Sequence, residues 1–196
     1  MNKLTATLAA LLLSTSAWAA DMQAGKTTLS LGFGPEQTVH HGDTTYKGTM
    51  NLVHGLTDSL GLGLQTETYQ AQDHSHDVST NTEVDAWYAR NLGHVLTLRA
   101  GVGVGEHISN IKDFPFYAAY VQADVPVNAK LTVNAVQYRY RNAFDDRRGF
   151  ESHQVGTGVT YAVTDSTSVS GKLYRRWDGN INPSTDGVAL GVNFKF

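Results

Sequence analysis

The last ten residues, "GVALGVNFKF" (Gly187–Phe196), decide the fold class. Apolar residues alternate there with small or polar ones: Val188, Leu190, Val192, Phe194 and Phe196 against Ala189, Gly191, Asn193 and Lys195. Because successive side chains of a β-strand point to opposite faces, this period of two predicts a strand with one apolar face. What that face contacts distinguishes a membrane protein from a soluble one.

Segments with the same alternation recur along the chain and predict ten strands. They are Lys26–Gly34, Tyr46–Leu56, Ser59–Gln72, Thr82–Leu92, His94–Ile108, Pro115–Val127, Lys130–Asn142, Glu151–Val163, Ser166–Trp177 and Gly187–Phe196. Eight or twelve strands would follow if one segment has been wrongly split or fused.

The connectors alternate between short and longer ones. Four short polar turns resemble one another: "GLTDSLGL", "NLGHVLTL", "PVNAKLTV" and "AVTDSTSV", around positions 58, 93, 128 and 165. Five longer connectors carry "PEQTVHHGDTT", "DHSHDVST", "SNIKDF", "AFDDRRGF" and "DGNINPST". Strict alternation puts all short turns at one end of the sheet, as in outer-membrane barrels with short periplasmic turns. The fold prediction is an all-β, transmembrane, antiparallel up-and-down β-barrel of ten strands in one domain, residues 21–196.

The first twenty residues predict a secretory signal peptide. Lys3 supplies a positive start, a short apolar run follows, and Ala17-Trp18-Ala19 gives a small-x-small cleavage site. The chain has no Cys and a net charge of −3, so neither disulfides nor nucleic-acid binding is expected. No cofactor motif stands out. The histidines at 40, 41, 74 and 76 are interpreted as solvated loop residues, without a metal site.

The polar face of the strands argues against a soluble barrel, whose apolar side would point inward. That face is small in mid-strand: Ser30, Gly32, Thr49, Asn51, Gly61, Gly63, Thr97, Gly101, Gly103, Gly156, Gly158 and Thr160. Such residues suit a crowded lumen better than a hydrated exterior. Aromatic residues near strand ends fit the interfaces of a membrane: Phe33, Tyr46, Tyr69, Tyr161, Trp177 and Phe194.

The signal segment, ten alternating strands, "LTDSL"-like turns and terminal "VNFKF" resemble the small bacterial outer-membrane β-barrel proteins over the whole mature chain. The resemblance implies a location in a Gram-negative outer membrane, in contact with its lipid and lipopolysaccharide. It also implies that Phe196 is the assembly signal read by the barrel-assembly machinery. Members of this family include pores, adhesins, proteases and lipid-modifying enzymes, so the resemblance leaves function and oligomeric state open.

Charged residues on the lumen side give two interpretations. They are Lys47, Glu67, Glu83, Asp85, Arg99, Asp124, Arg139, Arg141, Lys172 and Arg176. In a narrow barrel they form an internal salt-bridge network, because buried charges must be paired. Alternatively they line a narrow pore for small anionic solutes, and "YRYRN" resembles the strand arginines of the oligogalacturonate-specific porins. A bulge near Ala135 is required for Arg139 and Arg141 to face inward.

A hydrolase is the enzymatic alternative to these non-enzymatic roles. "HISN" (His107–Asn110) resembles the His-x-Ser-Asn stretch of outer-membrane lipid A deacylases, which implies Ser109 as nucleophile and His107 as base. The acid expected about a dozen residues later is missing, since that stretch reads "YVQAD". A triad depends on mutual geometry rather than on a short motif, so a non-enzymatic protein is preferred.

Overall fold

The computed structural model describes residues 22–39, 42–72 and 78–196. There the chain forms ten strands and one short 3₁₀ helix. They are β1 (Thr27–Thr38), β2 (Thr44–Gly55), β3 (Leu60–Ala71), β4 (Val78–Leu92), β5 (Leu96–Ser109), β6 (Phe114–Pro126), β7 (Leu131–Ala143), η1 (Asp146–Arg148), β8 (Ser152–Ala162), β9 (Thr167–Asp178) and β10 (Pro183–Lys195). No helix in these ranges is long and apolar enough to cross a membrane. The predicted signal peptide, residues 1–20, lies outside the described residues and stays a prediction.

The strands close into an antiparallel up-and-down barrel, which confirms the predicted fold and strand number. Each strand pairs with its neighbours in the chain, and β1 pairs with β10 to complete the circle. At the end of this closing seam, Thr27 and Phe196 exchange two backbone hydrogen bonds of 2.9 and 3.0 Å. Closure leaves none of these ten strands with a free edge on which another chain could pair.

The apolar face of the strands points away from the barrel, as predicted for a membrane protein. Leu62, Val102 and Val104 are 48 %, 63 % and 58 % exposed on the outer wall. On the inside, Ser30 and Asn51 are buried. Since an aqueous exterior would not favour a continuous apolar band, this surface fits the lipid-facing band of an outer-membrane barrel.

Two aromatic positions needed the tertiary structure for their placement. Trp87 points inward and packs against Tyr120 with 5.1 Å between ring centroids. Tyr69 was expected at the membrane interface, but its hydroxyl donates to Glu67 inside the barrel at 2.8 Å. The interfacial prediction for Tyr69 is therefore wrong, because alternation in β3 puts it on the same side as Glu67.

A bulge in β7 turns its second half to the correct face. Ala123 of β6 pairs with Val136 while Asp124 pairs with Asn134, so Ala135 is an extra residue. This confirms the bulge expected from the change of phase in the sequence. Beyond it, the two arginines of "YRYRN" are buried within the barrel.

The strands reach further at the loop end than the sequence predicted. β1 continues to Thr38 rather than ending at Gly34, and β10 begins at Pro183 rather than Gly187. Backbone pairing needs no apolar side chain, so polar residues extend a strand beyond the lipid-facing band. Glu36, assigned to a loop from its sequence, therefore lies in β1 and is buried inside the barrel.

The connector between β7 and β8 folds back over the barrel mouth. Its η1 turn ends at Gly149, whose φ of 63° is readily adopted by glycine. Phe150 then packs inward, with its ring centroid 4.9 Å from that of Phe114 and 5.3 Å from that of Phe116. This aromatic contact narrows the opening at the loop end.

Candidate functional site in the barrel interior

Glu67 is the centre of a network of charged side chains inside the barrel. Its Oε1 lies 2.8 Å from Lys47 Nζ and 2.7 Å from Arg139 Nη1, and its Oε2 pairs with Arg141. The Tyr69 hydroxyl donates a further bond of 2.8 Å to Oε2. Residues from β2, β3 and β7 therefore meet on one buried carboxylate.

Arg141 extends this network to β4. Its Nη2 and Nε donate to Glu83 Oε2 at 2.9 and 3.2 Å. The other Glu83 oxygen accepts the hydroxyl of Tyr120. The guanidinium carbon of Arg141 lies 5.2 Å from the Phe116 ring centroid, within range of a cation–π contact.

Glu36 supplies a third carboxylate, from β1. It accepts Arg176 Nη2 at 3.0 Å and the hydroxyl of Tyr174 at 2.7 Å. Lys47 lies 3.7 Å from Glu36 and links this part to Glu67. Seven charged residues thus form what we call the cross-barrel network: Glu36, Lys47, Glu67, Glu83, Arg139, Arg141 and Arg176.

The cross-barrel network brings paired charges together inside the lumen. Arg141, Glu67 and Glu83 are each at most 2 % exposed, so water has almost no access to them. A buried ion loses its hydration and is tolerated only when opposite charges and hydrogen bonds replace it. Removing one member therefore leaves its partners charged and without that compensation.

A second, smaller group lies toward the short-turn end, and we call it the Asp124 cluster. Arg99 Nη1 is 3.2 Å from Asp124 Oδ2, and Gln122 donates to both Asp124 oxygens at 2.7 and 2.8 Å. Asn134 donates to Asp124 Oδ1 at 2.7 Å and accepts from Thr160 at 3.3 Å. These residues come from β5 to β8, which are neighbours in the wall.

The remaining two charged residues of the sequence-based set, Asp85 and Lys172, are also buried inside the barrel. Asp85 lies beside Glu83 above Gly103, where a Cβ would collide with both carboxylates, so the glycine makes room for this pair. Lys172 Nζ is 5.5 Å from the ring centroid of Tyr174. All ten residues chosen from the sequence thus point into the barrel, with Arg176 the most exposed at 22 % of its side chain.

Two cavities of the interior are lined by described residues. One, of about 370 Å³, opens at the short-turn end and is lined in part by Arg99, Asp124 and Lys195. The other, of about 180 Å³, lies at the loop end and is lined in part by Arg139 and Arg176. Between them lie the buried members of the cross-barrel network.

Several interior residues were missed from the sequence. Glu36 was placed in a loop, although it continues the inward series of Ser30, Gly32 and Gly34 at a spacing of two. Tyr120 and Tyr174 resemble any strand aromatic, and only closure of the barrel brings their hydroxyl groups to Glu83 and Glu36. The spacing of two could therefore have identified Glu36 as an interior residue, but it could not have identified the hydrogen bonds of Tyr120 and Tyr174.

The contacts of the His-x-Ser-Asn stretch are those of a strand end and turn. His107 Nδ1 lies 2.7 Å from Asn81 Oδ1. Ser109 Oγ donates to the Lys112 carbonyl at 2.8 Å and accepts the Lys112 amide at 3.2 Å. The hydrogen bonds of the described residues do not join Ser109 to His107, so this geometry lends no support to the hydrolase alternative.

The external arginines are paired locally rather than with the interior. Arg147 Nε lies 2.9 Å from Asp145 Oδ1, and Arg148 Nε lies 3.5 Å from Asp145 Oδ2. Across the described residues no group of three metal-binding side chains is found. The loop histidines at 40, 41, 74 and 76 lie outside the described residues.

Comparison with known proteins supports the same architecture. The COG4313 outer membrane channel from Pseudomonas putida F1 matches with a TM-score of 0.58 and 12% identity, covering 93% of this chain and 100% of that one. The NanC porin matches with 0.52 and 12% (86% and 100%), and the KdgM porin with 0.50 and 18% (86% and 99%). At these identities the likeness shows the fold alone.

Comparison with protein families by sequence assigns the chain to a family. No curated protein matches the chain by sequence. The family described as outer membrane protein beta-barrel domain matches residues 5–196, nearly the whole chain. The chain therefore belongs to the outer membrane protein beta-barrel domain family and is a β-barrel protein of the bacterial outer membrane.

Proposed function

We propose that this protein is a non-enzymatic outer-membrane barrel whose lumen is closed by the cross-barrel network, leaving its loops to contact other surfaces. One observation carries the proposal. Arg141 of β7 pairs at once with Glu67 of β3 and Glu83 of β4, which lie four and three strands away around the barrel. Small barrels of this kind can be filled by their own side chains, and paired buried charges hold such a filling in place.

Single-channel recording in a planar bilayer tests this function. A closed barrel passes little or no current, whereas the double variant Arg139→Ala/Arg141→Ala, which empties part of the lumen, conducts. A matched double variant, Arg147→Ala/Arg148→Ala, removes two exposed loop arginines and should stay silent. Regular open steps from the unmodified protein would contradict the closed-barrel proposal.

A narrow pore for small anionic solutes is the second candidate. Among the described strand residues, seven inward cations (Lys47, Arg99, Arg139, Arg141, Lys172, Arg176 and Lys195) face six inward carboxylates (Glu36, Glu67, Glu83, Asp85, Asp124 and Asp178). An excess of positive charge raises the local concentration of anions. For such a pore, the cross-barrel network would be the constriction between the two cavities.

The pore and the closed barrel predict different changes of current when an inward arginine is replaced by alanine. In an anion pore, replacing Arg176 by Ala lowers anion preference and current; in a closed barrel it cannot lower a current that is absent. The hydrolase alternative predicts modified lipid A in cells that produce the protein, with the modification lost in Ser109→Ala. Unchanged lipid A together with a silent bilayer supports the loop-contact role.

A further inference from the structure

The outer wall carries a groove where the closing seam is interrupted. Pairing of β1 with β10 runs from Thr28 to Phe33 and resumes at Glu36. Pro35 lies in the gap, and proline has no N–H to donate to a neighbouring strand. A groove of about 680 Å³ lies beside this interruption, lined by Pro35 and Gln37 of β1, by Thr44 of β2 and by residues of β7 to β10.

The lining of this groove is mostly apolar and reaches as far as the bulge of β7. Val136 belongs to the bulge, and Val155, Leu173 and Val188 follow on the next three strands. The side chains of Val136, Leu173 and Val188 are 42 %, 58 % and 44 % exposed on the lipid-facing wall. The groove is thus a concave part of the surface that meets lipid chains.

One charged pair lies at the loop-side end of the groove. Arg175 and Asp186 form a bidentate contact, with distances of 2.6 Å from Nε and 2.7 Å from Nη2. Arg175 lies two residues after Leu173 in β9, and Asp186 lies two residues before Val188 in β10. Both charged residues are therefore outward-facing and one position nearer the loop end than these apolar residues. Both side chains are about half exposed, at 49 % and 48 %. A guanidinium has five N–H donors, and this pair uses two of them, so three donors of the half-exposed Arg175 are left for another partner.

We propose that this groove binds one lipid A molecule, with an acyl chain against the apolar lining and a phosphate on the remaining donors of Arg175. The loop end faces the outer leaflet, where lipid A is the phosphorylated lipid. A guanidinium at headgroup level binds phosphate by charge-assisted hydrogen bonds. Asp186 holds the Arg175 side chain in place but competes with the phosphate for its donors. The site is independent of whether the lumen is open or closed.

Native mass spectrometry of the purified protein in detergent, titrated with lipid A, tests the groove. We expect one bound molecule at low lipid concentration. Val155→Trp fills the groove and abolishes this species, whereas Val159→Trp, on the same strand and outward-facing but not lining the groove, keeps it. A shift between heated and unheated samples in gel electrophoresis verifies that each variant is folded.

Two further variants test the phosphate contact. Arg175→Gln should weaken binding of lipid A by roughly tenfold, a common effect of losing a charge-assisted contact. It should leave binding of chemically dephosphorylated lipid A unchanged. Asp186→Asn removes the competing carboxylate and should keep or strengthen binding, which a merely structural ion pair would not do.

The proposal is overturned if Val155→Trp binds lipid A as well as Val159→Trp does. Equal affinity of Arg175→Gln and the unmodified protein would also overturn it. So would a dimer that is lost only in Val155→Trp, because the groove would then hold a second copy of this chain.

Discussion

The two charged groups inside the barrel are built from similar residues but connect different sets of strands. In the cross-barrel network, Glu67 pairs with three cations, and Arg141 pairs with two carboxylates that lie three and four strands away. In the Asp124 cluster, one cation and two amides meet a single carboxylate from neighbouring strands. The cross-barrel network joins distant strands across the interior, whereas the Asp124 cluster borders a cavity of about 370 Å³.

The difference shows that the distance between the partner strands, rather than the number of charges, decides whether a contact lines the wall or crosses the lumen. A contact between adjacent strands lines the wall, because the sheet has already brought those residues together. A contact between distant strands spans the lumen. Variants in the two groups should therefore differ in their effects on stability and on conductance.

Glu67→Ala should have the largest effect on stability. It leaves three buried cations without their shared carboxylate, a change expected to cost about 3–5 kcal/mol. Guanidinium unfolding in lipid vesicles measures this loss, and planar-bilayer recording should detect new current. Glu106→Ala removes an exposed outward carboxylate and serves as the control. Equal unfolding free energies for the two variants would show that Glu67 does not hold the network together.

Tyr120→Phe should have an intermediate effect. It removes the hydroxyl that donates to Glu83, and leaving a buried acceptor short of one donor costs about 1–3 kcal/mol. The same unfolding experiment on Tyr88→Phe, an exposed tyrosine on the outer wall, should show almost no change. A neutral Tyr120→Phe would mean that the arginine alone satisfies Glu83.

Asp124→Asn should destabilise the barrel by only about 1 kcal/mol, since water in the adjoining cavity can replace part of the lost contacts. Its current in a planar bilayer should match that of the unmodified protein. Conductance that rises as much as in Glu67→Ala would erase the contrast between the two groups.

Phe196→Ala should have the smallest effect on stability and a separate effect on assembly. The side chain is 62 % exposed, and the variant keeps both backbone bonds to Thr27. We therefore expect a change within about 0.5 kcal/mol, together with lower outer-membrane levels when the protein is produced without excess expression. Unchanged levels would argue against an assembly role for this residue.

Much of the fold was predictable because a strand with one lipid-facing side records its orientation in a two-residue period. The alternation at Val188–Phe196 predicted an outward apolar face, and the change of phase around Ala135 predicted the bulge. Strand ends were less predictable: Glu36 and Pro183 look like loop residues, yet the ladder continues through them. Tyr69 was misplaced because an aromatic near a strand end fits either face.

The sequence alone determined the barrel and which charged residues face inward, since both depend on local alternation and on the order of turns and loops. The tertiary structure alone decided which charges meet. Arg141 and Glu67 are 74 positions apart, and nothing in the spacing of either residue specifies the other. Their pairing depends on the diameter and register of the closed sheet, which are properties of all ten strands together.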